Sequence, residues 1–304
     1  MSGTGAAVPG GGLLVVGEVV TDVVVRHAAQ PRRGTDTPAR ITTLPGGAGA
    51  NVACWAARSG CREVRLLARA GADAADWHRD ALRRAGVDAL LRVDEEAPTG
   101  TVVALVDSSA ERTFLTDSGA VLRLSPADWS SSLLDGAARL HLSGYLLFGA
   151  TSRATALLAL REARRRGVPV SVDPASAGFL AALGGAAFLD LVEGIDLLLP
   201  NADEARELTG LPDPADAAAK LSRHVERVAV TLGGRGVLLA SGGAVTARVP
   251  AGAVRVPVDS TGAGDAFTGG FLAALVAGAA VLPAAEAGCR AGAEAVSTVG
   301  GRPV

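Results

Sequence analysis

The sequence predicts an α/β fold, with a mainly parallel central sheet covered by helices on both faces and a small β-sheet beside it. Three observations carry that expectation. The run Leu-Leu-Val-Val-Gly at residues 13–17 is short, apolar and bounded by glycines, as a buried strand is. Beyond Leu124, β-type runs alternate with helix-length segments, the rhythm of parallel strands joined by crossover helices. Two β-rich stretches, at about residues 19–44 and 100–116, do not follow that alternation. They read as a small sheet projecting from the main body, placed as a lid would be.

Each element rests on its own residues. After the first strand, residues 21–25 are β-rich, and residues 40–44 alternate as in a half-exposed strand. Pro45-Gly46-Gly47-Ala48-Gly49-Ala50-Asn51 reads as a loop that opens a helix over 52–59. Residues 101–106 and 112–116 flank the polar segment 107–111 and form a hairpin signal. Strands follow at 140–142, 168–172, 195–199, 228–232 and 237–239. Helices fall at 153–166, 202–208 and 215–225. Residues 266–285 carry no charge over 20 positions, a length that could span a bilayer. They are rich in Ala and Gly, contain Pro283 and lack basic or aromatic anchors, so a buried core helix is expected instead. No linker is long enough to divide the 304 residues, and one domain over 1–304 is expected.

Composition narrows the function. With 49% apolar but only 3% aromatic residues, the core must be mostly Ala, Val and Leu. The 29 basic residues nearly balance 31 acidic ones, which argues against nucleic acid or a charged membrane surface as partner. The three cysteines form no C-x-x-C and the four histidines are scattered, so neither a disulfide framework nor a zinc site is expected. Residues 1–12 are small, uncharged and glycine-rich, unlike a signal peptide, and a cytoplasmic protein with a loose N-terminal tail is expected. Lys220 is the only lysine and no G-x-x-x-x-G-K-[ST] occurs, which excludes a P-loop. The first strand runs into Gly-Glu-Val-Val rather than G-x-G-x-x-G, which excludes the usual nicotinamide-binding turn.

One string speaks directly of chemistry. Asp259-Ser260-Thr261-Gly262-Ala263-Gly264-Asp265 puts a glycine-rich turn in front of an apolar helix. The unpaired amides of such a helix start, with the positive end of its dipole, suit a phosphate or a developing oxyanion. Asp265 would compete with a bound anion, which makes sense if it takes a proton from a hydroxyl attacking phosphorus. The string resembles the signature of the ribokinase-like, or PfkB, family of carbohydrate kinases. The motifs run in that family's order across residues 16–301.

The resemblance implies a ribokinase-like three-layer sandwich with a β-sheet lid, a sugar substrate, ATP, Mg²⁺ and possibly K⁺. It implies Asp265 as the base and the amides of Gly262, Ala263 and Gly264 as the anion hole. Gly46, Gly47 and Asn51 match the family's sugar-contacting signature, although Ala48 stands where many ribokinases have lysine. Asp22 matches the aspartate that accepts hydrogen bonds from two sugar hydroxyls, and Glu18 lies beside it. Asn201 and Glu204 match an Asn-x-x-Glu motif that organises magnesium, with Glu204 acting through water; the same pair also reads as a helix cap. Thr231, Gly233 and Gly236 match the turn over the nucleotide. Asp173 falls near the phosphates, and Asp259 with the Thr261 carbonyl resembles the monovalent-cation site. A homodimer through the lid would cover its open edges. Ribose-type sugars, ketohexoses, sugar acids and nucleosides all fit the fold. Phe114 is the only aromatic in the lid segments, which leans toward a sugar over a nucleoside. Arg112 could meet an acidic substrate, and Ser143-Gly144-Tyr145 offers no substrate-holding carboxylate.

Overall fold

A computed structural model of the chain describes residues 11–107, 112–254 and 257–303. Most of the expected N-terminal tail, the tip of the 107–111 hairpin and the Arg112 side chain lie outside the described residues. Two sheets organise the rest. The first half carries β1 (Gly12–Val16), β2 (Val20–His27), β3 (Ala39–Gly46), α1 (Ala48–Arg58), β4 (Val64–Gly71), α2 (Ala75–Arg84), β5 (Asp88–Asp94), β6 (Gly100–Val106) and β7 (Arg112–Asp117). Short 3₁₀ turns lead to β8 (Ala137–Ser143), α3 (Ala150–Arg165), β9 (Val170–Asp173), α4 (Ala177–Leu183), α5 (Gly185–Leu191) and β10 (Leu197–Leu198). The chain ends through α6 (Ala202–Thr209), α7 (Pro214–Leu221), β11 (Arg227–Thr231), β12 (Val237–Ser241), β13 (Ala244–Val249), α8 (Ala263–Val276) and α9 (Val281–Ala295).

The large sheet runs β13-β12-β11-β10-β9-β8-β1-β4-β5, with every pair from β11 to β5 parallel and β12 and β13 added antiparallel at one edge. Side chains alternate between its faces with a period of two. Leu14 and Val16 enter one core with Leu160 of α3, Phe188 of α5 and Leu221 of α7. Leu13 and Val15 enter the other with Val52 of α1, Leu82 of α2 and Phe271 of α8. These are the three layers of the expected sandwich. The small sheet runs β3-β2-β6-β7, parallel only between β2 and β6.

Three details differ from the sequence reading. The alternation of strand and helix begins well before Leu124, because β4 and β5 also join the large sheet. Arginines interrupt β4, and Arg69 reaches across to Asp94 and Asp128 at 2.8 and 2.9 Å, so the strand does not read as an apolar run. Helix α1 begins at Ala48 rather than Val52. Gly47, at φ 101°, turns the chain into the helix. Glu18 then takes two otherwise orphaned amides of the first turn, Gly49 N–H on Oε1 at 3.1 Å and Ala50 N–H on its carbonyl at 3.2 Å. Finally, the uncharged segment 266–285 is divided between α8 and α9. The break falls at Gly278 (φ 88°), while Pro283 sits in the first turn of α9, where a missing N–H is tolerated. Among the described residues no helix is long and apolar enough to cross a membrane.

Glycines set how closely these helices approach. A Cβ on Gly269 of α8 would lie 2.6 Å from Trp55 Cβ and 2.7 Å from the Val52 carbonyl of α1. Gly269→Val should therefore push α1 from α8 and destabilise the protein by about 1–3 kcal/mol. Thermal unfolding tests this, and a variant that melts with the wild type would contradict it.

Candidate active site

The carboxyl ends of the parallel strands point to one side, the place where open α/β sheets bind ligands. Glu18 follows β1, Tyr145 follows β8, Asp173 ends β9, Asn201 follows β10 and Thr231 ends β11. All five line a cavity of about 710 Å³ that also receives Asp22, Val102 and Thr116 from the small sheet. A second cavity of about 440 Å³ is lined by Gly233, Gly234, Gly236, Ala263 and residues of α9. Thr231 and Gly264 line both, so the two cavities meet at the N-terminus of α8.

That terminus is built by its glycines. Gly262 caps the helix at φ 71°, and a Cβ there would lie 2.5 Å from Gly301. Ala263 turns its N–H onto the Ser260 carbonyl at 3.3 Å. A Cβ on Gly264 would meet nothing within 4 Å, so open space stands in front of the helix start. Asp265, the third residue of the helix, faces the first cavity.

A hydrogen-bonded chain orients Asp265. Asn51 Nδ2 donates to Asp265 Oδ2 at 2.8 Å. On the other side, Arg302 Nε donates to Asn51 Oδ1 at 3.4 Å, and Arg302 Nη2 donates to the Gly46 carbonyl at 2.7 Å. A carboxylate on one end and a guanidinium on the other define which way the Asn51 amide points. The segment carrying Arg302 is itself tied down. Trp55 Nε1 donates to the Gly301 carbonyl at 2.9 Å, and Gly300 N–H donates to Asp259 Oδ2 at 3.2 Å. Sequence reasoning missed Arg302, which stands alone after two glycines near the chain end with no motif around it.

The first cavity is crowded with acid. Glu18, Asp22, Asp173, Glu204 and Asp265 line it, and none of its described lining residues is Lys, Arg or His. Burial pushes the Asp22 carboxyl up to about 6 against the opposing pull of Arg302. Burial raises Asp265 well above the usual carboxylate range; the Asn51 hydrogen bond works against this, while Asp173, Glu18 and Asp22 add to the rise. Asp173 and Glu204 are raised as well, first by burial and then by neighbouring carboxylates. Glu18 is raised by burial, and its Oε2 has no hydrogen-bond partner. Such a set suits a hard cation. Among the described residues no three His, Cys, Asp or Glu side chains lie close enough to chelate a metal directly, so an ion would be held largely through its water shell.

Gly47 lines the first cavity, while the Gly46 Cα faces the Asp22 carboxylate so closely that a side chain there would collide with it. Asn201 and Glu204 form a reciprocal cap on α6, Asn201 Oδ1 accepting Glu204 N–H and Glu204 Oε2 accepting Asn201 N–H, both at 2.9 Å. Asn201 Nδ2 also donates to Glu204 Oε1 at 2.7 Å, so both carboxylate oxygens serve the cap while the residue lines the cavity. Asp259 and Thr261 line neither cavity. Asp259 Oδ1 accepts the Thr261 N–H at 2.8 Å, and Arg26 of β2 approaches its Oδ2 at 3.8 Å. Tyr145, from the segment that offers no substrate-holding carboxylate, also lines the first cavity, together with Phe148 and Phe179, which the sequence reading did not connect with it.

Comparison with known proteins finds relatives along nearly the whole chain. The family described as pfkB family carbohydrate kinase matches residues 12–304. A fructokinase of Klebsiella pneumoniae is 34% identical over 280 residues, covering 88% of this chain and 85% of that protein. A ribokinase of Haemophilus influenzae is 30% identical over 274 residues, covering 87% and 85%. Among solved structures, that of a ribokinase of Thermotoga maritima superposes with a TM-score of 0.78 at 26% identity, covering 95% of this chain and 94% of that one.

The acid cluster has a consequence for stability. The folded Asp22 carboxyl holds its proton more tightly than the unfolded one, whose pKa is about 4. Its contribution is therefore complete below about pH 4 and lost as pH rises through about 6; the raised Asp173, Glu204 and Asp265 act in the same direction. In metal-free buffer the protein should melt higher at about pH 5 than at pH 8, and Asp22→Asn should flatten the difference. A melting temperature that rises toward pH 8 would contradict this assignment.

Proposed function

The chain belongs to the pfkB family of carbohydrate kinases, and from that premise we propose that it phosphorylates a sugar hydroxyl with Asp265 as general base. The observation that carries the reading is the position of Asp265. It lies in the first turn of α8 and lines the first cavity, one residue after Gly264, which lines both, with one carboxylate oxygen held by Asn51. ATP would lie in the second cavity beside Gly233 and Gly236, with its terminal phosphate toward Thr231 and Gly264. The sugar would occupy the first cavity, its hydroxyls on Asp22 and Asn51 and its ring against Gly46 and Gly47.

In this arrangement the attacking hydroxyl gives its proton to Asp265. Its oxygen bonds the γ-phosphorus as the bond from phosphorus to the β,γ-bridging oxygen breaks, and that oxygen leaves with ADP. The amides at Gly262 and Gly264 and the dipole of α8 would face the charge that develops, while the Ala263 N–H is taken by the Ser260 carbonyl. Glu204, with Asp173 near it, would hold Mg²⁺ through water; a bound Mg²⁺ supplies positive charge to the phosphates. Asp259 and the Thr261 carbonyl would hold a monovalent cation such as K⁺ and so brace the loop before α8. The small sheet would serve as the lid of a single kinase domain, excluding water that would otherwise accept the phosphate. Its outer side carries exposed Ile41 and Leu115, and a second copy of the chain would cover them.

Asp265→Asn should lower kcat by about 10²–10⁴-fold while the protein still binds ATP, measured by ADP release and by nucleotide titration. Unchanged turnover would remove Asp265 from the role of base. Arg302→Met tests the chain of hydrogen bonds behind it. Without that cation Asp22 rises further and Asn51 loses a partner, so kcat should fall and the acidic limb of the pH–rate profile should move to higher pH. Lysine at 302 should restore the position of the limb in part. A lower rate with the limb unmoved would make Arg302 a matter of folding alone.

A further inference from the structure

Asp259 stands where three segments around Asp265 meet. Its Oδ1 accepts the Thr261 N–H at 2.8 Å, within the loop that opens α8. Its Oδ2 accepts the Gly300 N–H at 3.2 Å, from the segment that brings Arg302 onto Asn51. Arg26 Nη2, from β2 of the small sheet, comes within 3.8 Å of the same oxygen. The Val258 and Asp259 amides donate to the Val296 carbonyl at 2.7 and 3.2 Å, which ties the loop to the end of α9. The Asp259 side chain is 6% exposed, so its carboxylate is taken out of water, while that of Arg26 is 43% exposed.

The position of Arg26 ties it to the rest of the site. It lies four residues beyond Asp22 on the same strand, and side chains two and four apart share a face. One face of β2 therefore sends Asp22 to the first cavity and Arg26 to the loop of α8. Because β2 pairs with β3 on one side and β6 on the other, both residues are fixed to the small sheet. A buried carboxylate is costly, and a positive charge beside it offsets that cost. At 3.8 Å the contact is one of charge rather than of a directed hydrogen bond. Another cation brought to the same place can therefore fill its role. Resemblance to the family puts a monovalent ion at this carboxylate; here a guanidinium reaches it from the small sheet.

We propose that Arg26 is a positioning residue, delivered to Asp259 by the small sheet, whose charge sets the loop before α8 so that the site does not depend on a monovalent ion. The proposal rests on the kinase reading of Asp265. An ion held by Asp259 and the Thr261 carbonyl would add to this charge without being required. The consequence reaches the phosphates, because Thr261 leads into Gly262, whose amide and that of Gly264 would face the terminal phosphate. A slack loop therefore weakens the hold on a nucleoside triphosphate more than on a diphosphate. Closure of the small sheet over the sugar and the setting of the anion hole become one event, since Asp22 and Arg26 share a strand.

The test reads nucleotide binding, which needs no knowledge of the sugar. The Mg²⁺ complexes of ADP and of the β,γ-methylene analogue of ATP are titrated calorimetrically into the wild type, Arg26→Gln and Arg26→Lys. Each titration is run with K⁺ or with tetramethylammonium as the only monovalent cation. In the wild type the exchange of ions should leave the affinity for the ATP analogue unchanged. In tetramethylammonium Arg26→Gln should bind the analogue about three- to tenfold more weakly, between the worth of an exposed pair and the cost of unpairing a buried charge. Its affinity for ADP should fall less. K⁺ or added guanidinium should restore most of the loss, and Arg26→Lys should bind nearly as the wild type does. A wild type that needs K⁺ to bind the analogue would overturn the proposal in favour of the ion. A glutamine variant that binds like the wild type without K⁺ would overturn it as well. So would a loss that neither K⁺ nor guanidinium repairs, which is what a merely structural role predicts. Each of these outcomes leaves the kinase reading standing, whereas a wild type that binds neither nucleotide would remove both.

Discussion

The hydrogen bond from Asn51 to Asp265 joins residues 214 positions apart, and the candidate site depends on it. It requires α1 and α8 to lie almost backbone to backbone, which they do because Gly269 lets α8 settle against Val52 and Trp55. It also requires Asn51 to present its amide nitrogen rather than its oxygen, and Arg302 sees to that from the far side. A helix start, a helix face and the end of the chain are thus committed to one carboxylate.

The electrostatics of the first cavity run against stability. Burial raises five carboxyls at once, neighbouring carboxylates add to the rise at Asp173, Glu204 and Asp265, and the buried cation Arg302 lies behind Asn51 rather than among them. Folded without a cation, the protein keeps these groups partly protonated or bears their repulsion. Strain of this kind collects where ligands bring the missing charge, because the protein is shaped for the loaded state rather than the empty one. The backbone at Ala175, next to Asp173, shows the same tendency.

The two sheets divide the work of enclosing a ligand. The large sheet supplies rigid strand ends, and Glu18, Asp173, Asn201 and Thr231 at four of them line the same space. The small sheet adds Asp22 and an apolar inner face and closes the cavity from the other side. Because the aromatic side chains lie on both parts, whatever fills the cavity must touch both. A ligand that spans them couples the position of the small sheet to the chemistry at α8.

Much of this was legible in the sequence, and what was legible was local. A buried β1, the strand–helix rhythm of the second half and the glycine turn before α8 each express a backbone preference that a few adjacent residues impose. The string from Asp259 to Asp265 is informative for the same reason, since the helix start and its carboxylate are neighbours in the chain. The tertiary structure decided the rest. It started α1 at Ala48 because Glu18, 30 positions earlier, was there to accept the amides of the first turn. It placed β4 and β5 in the sheet although arginines break their apolar runs, since Arg69 finds Asp94 and Asp128 only in the folded state. It carried Arg302 to Asn51 and gathered Tyr145, Phe148 and Phe179 opposite Phe114. Contacts between residues far apart in the chain leave no periodicity or spacing to read, because they exist only once the layers have packed.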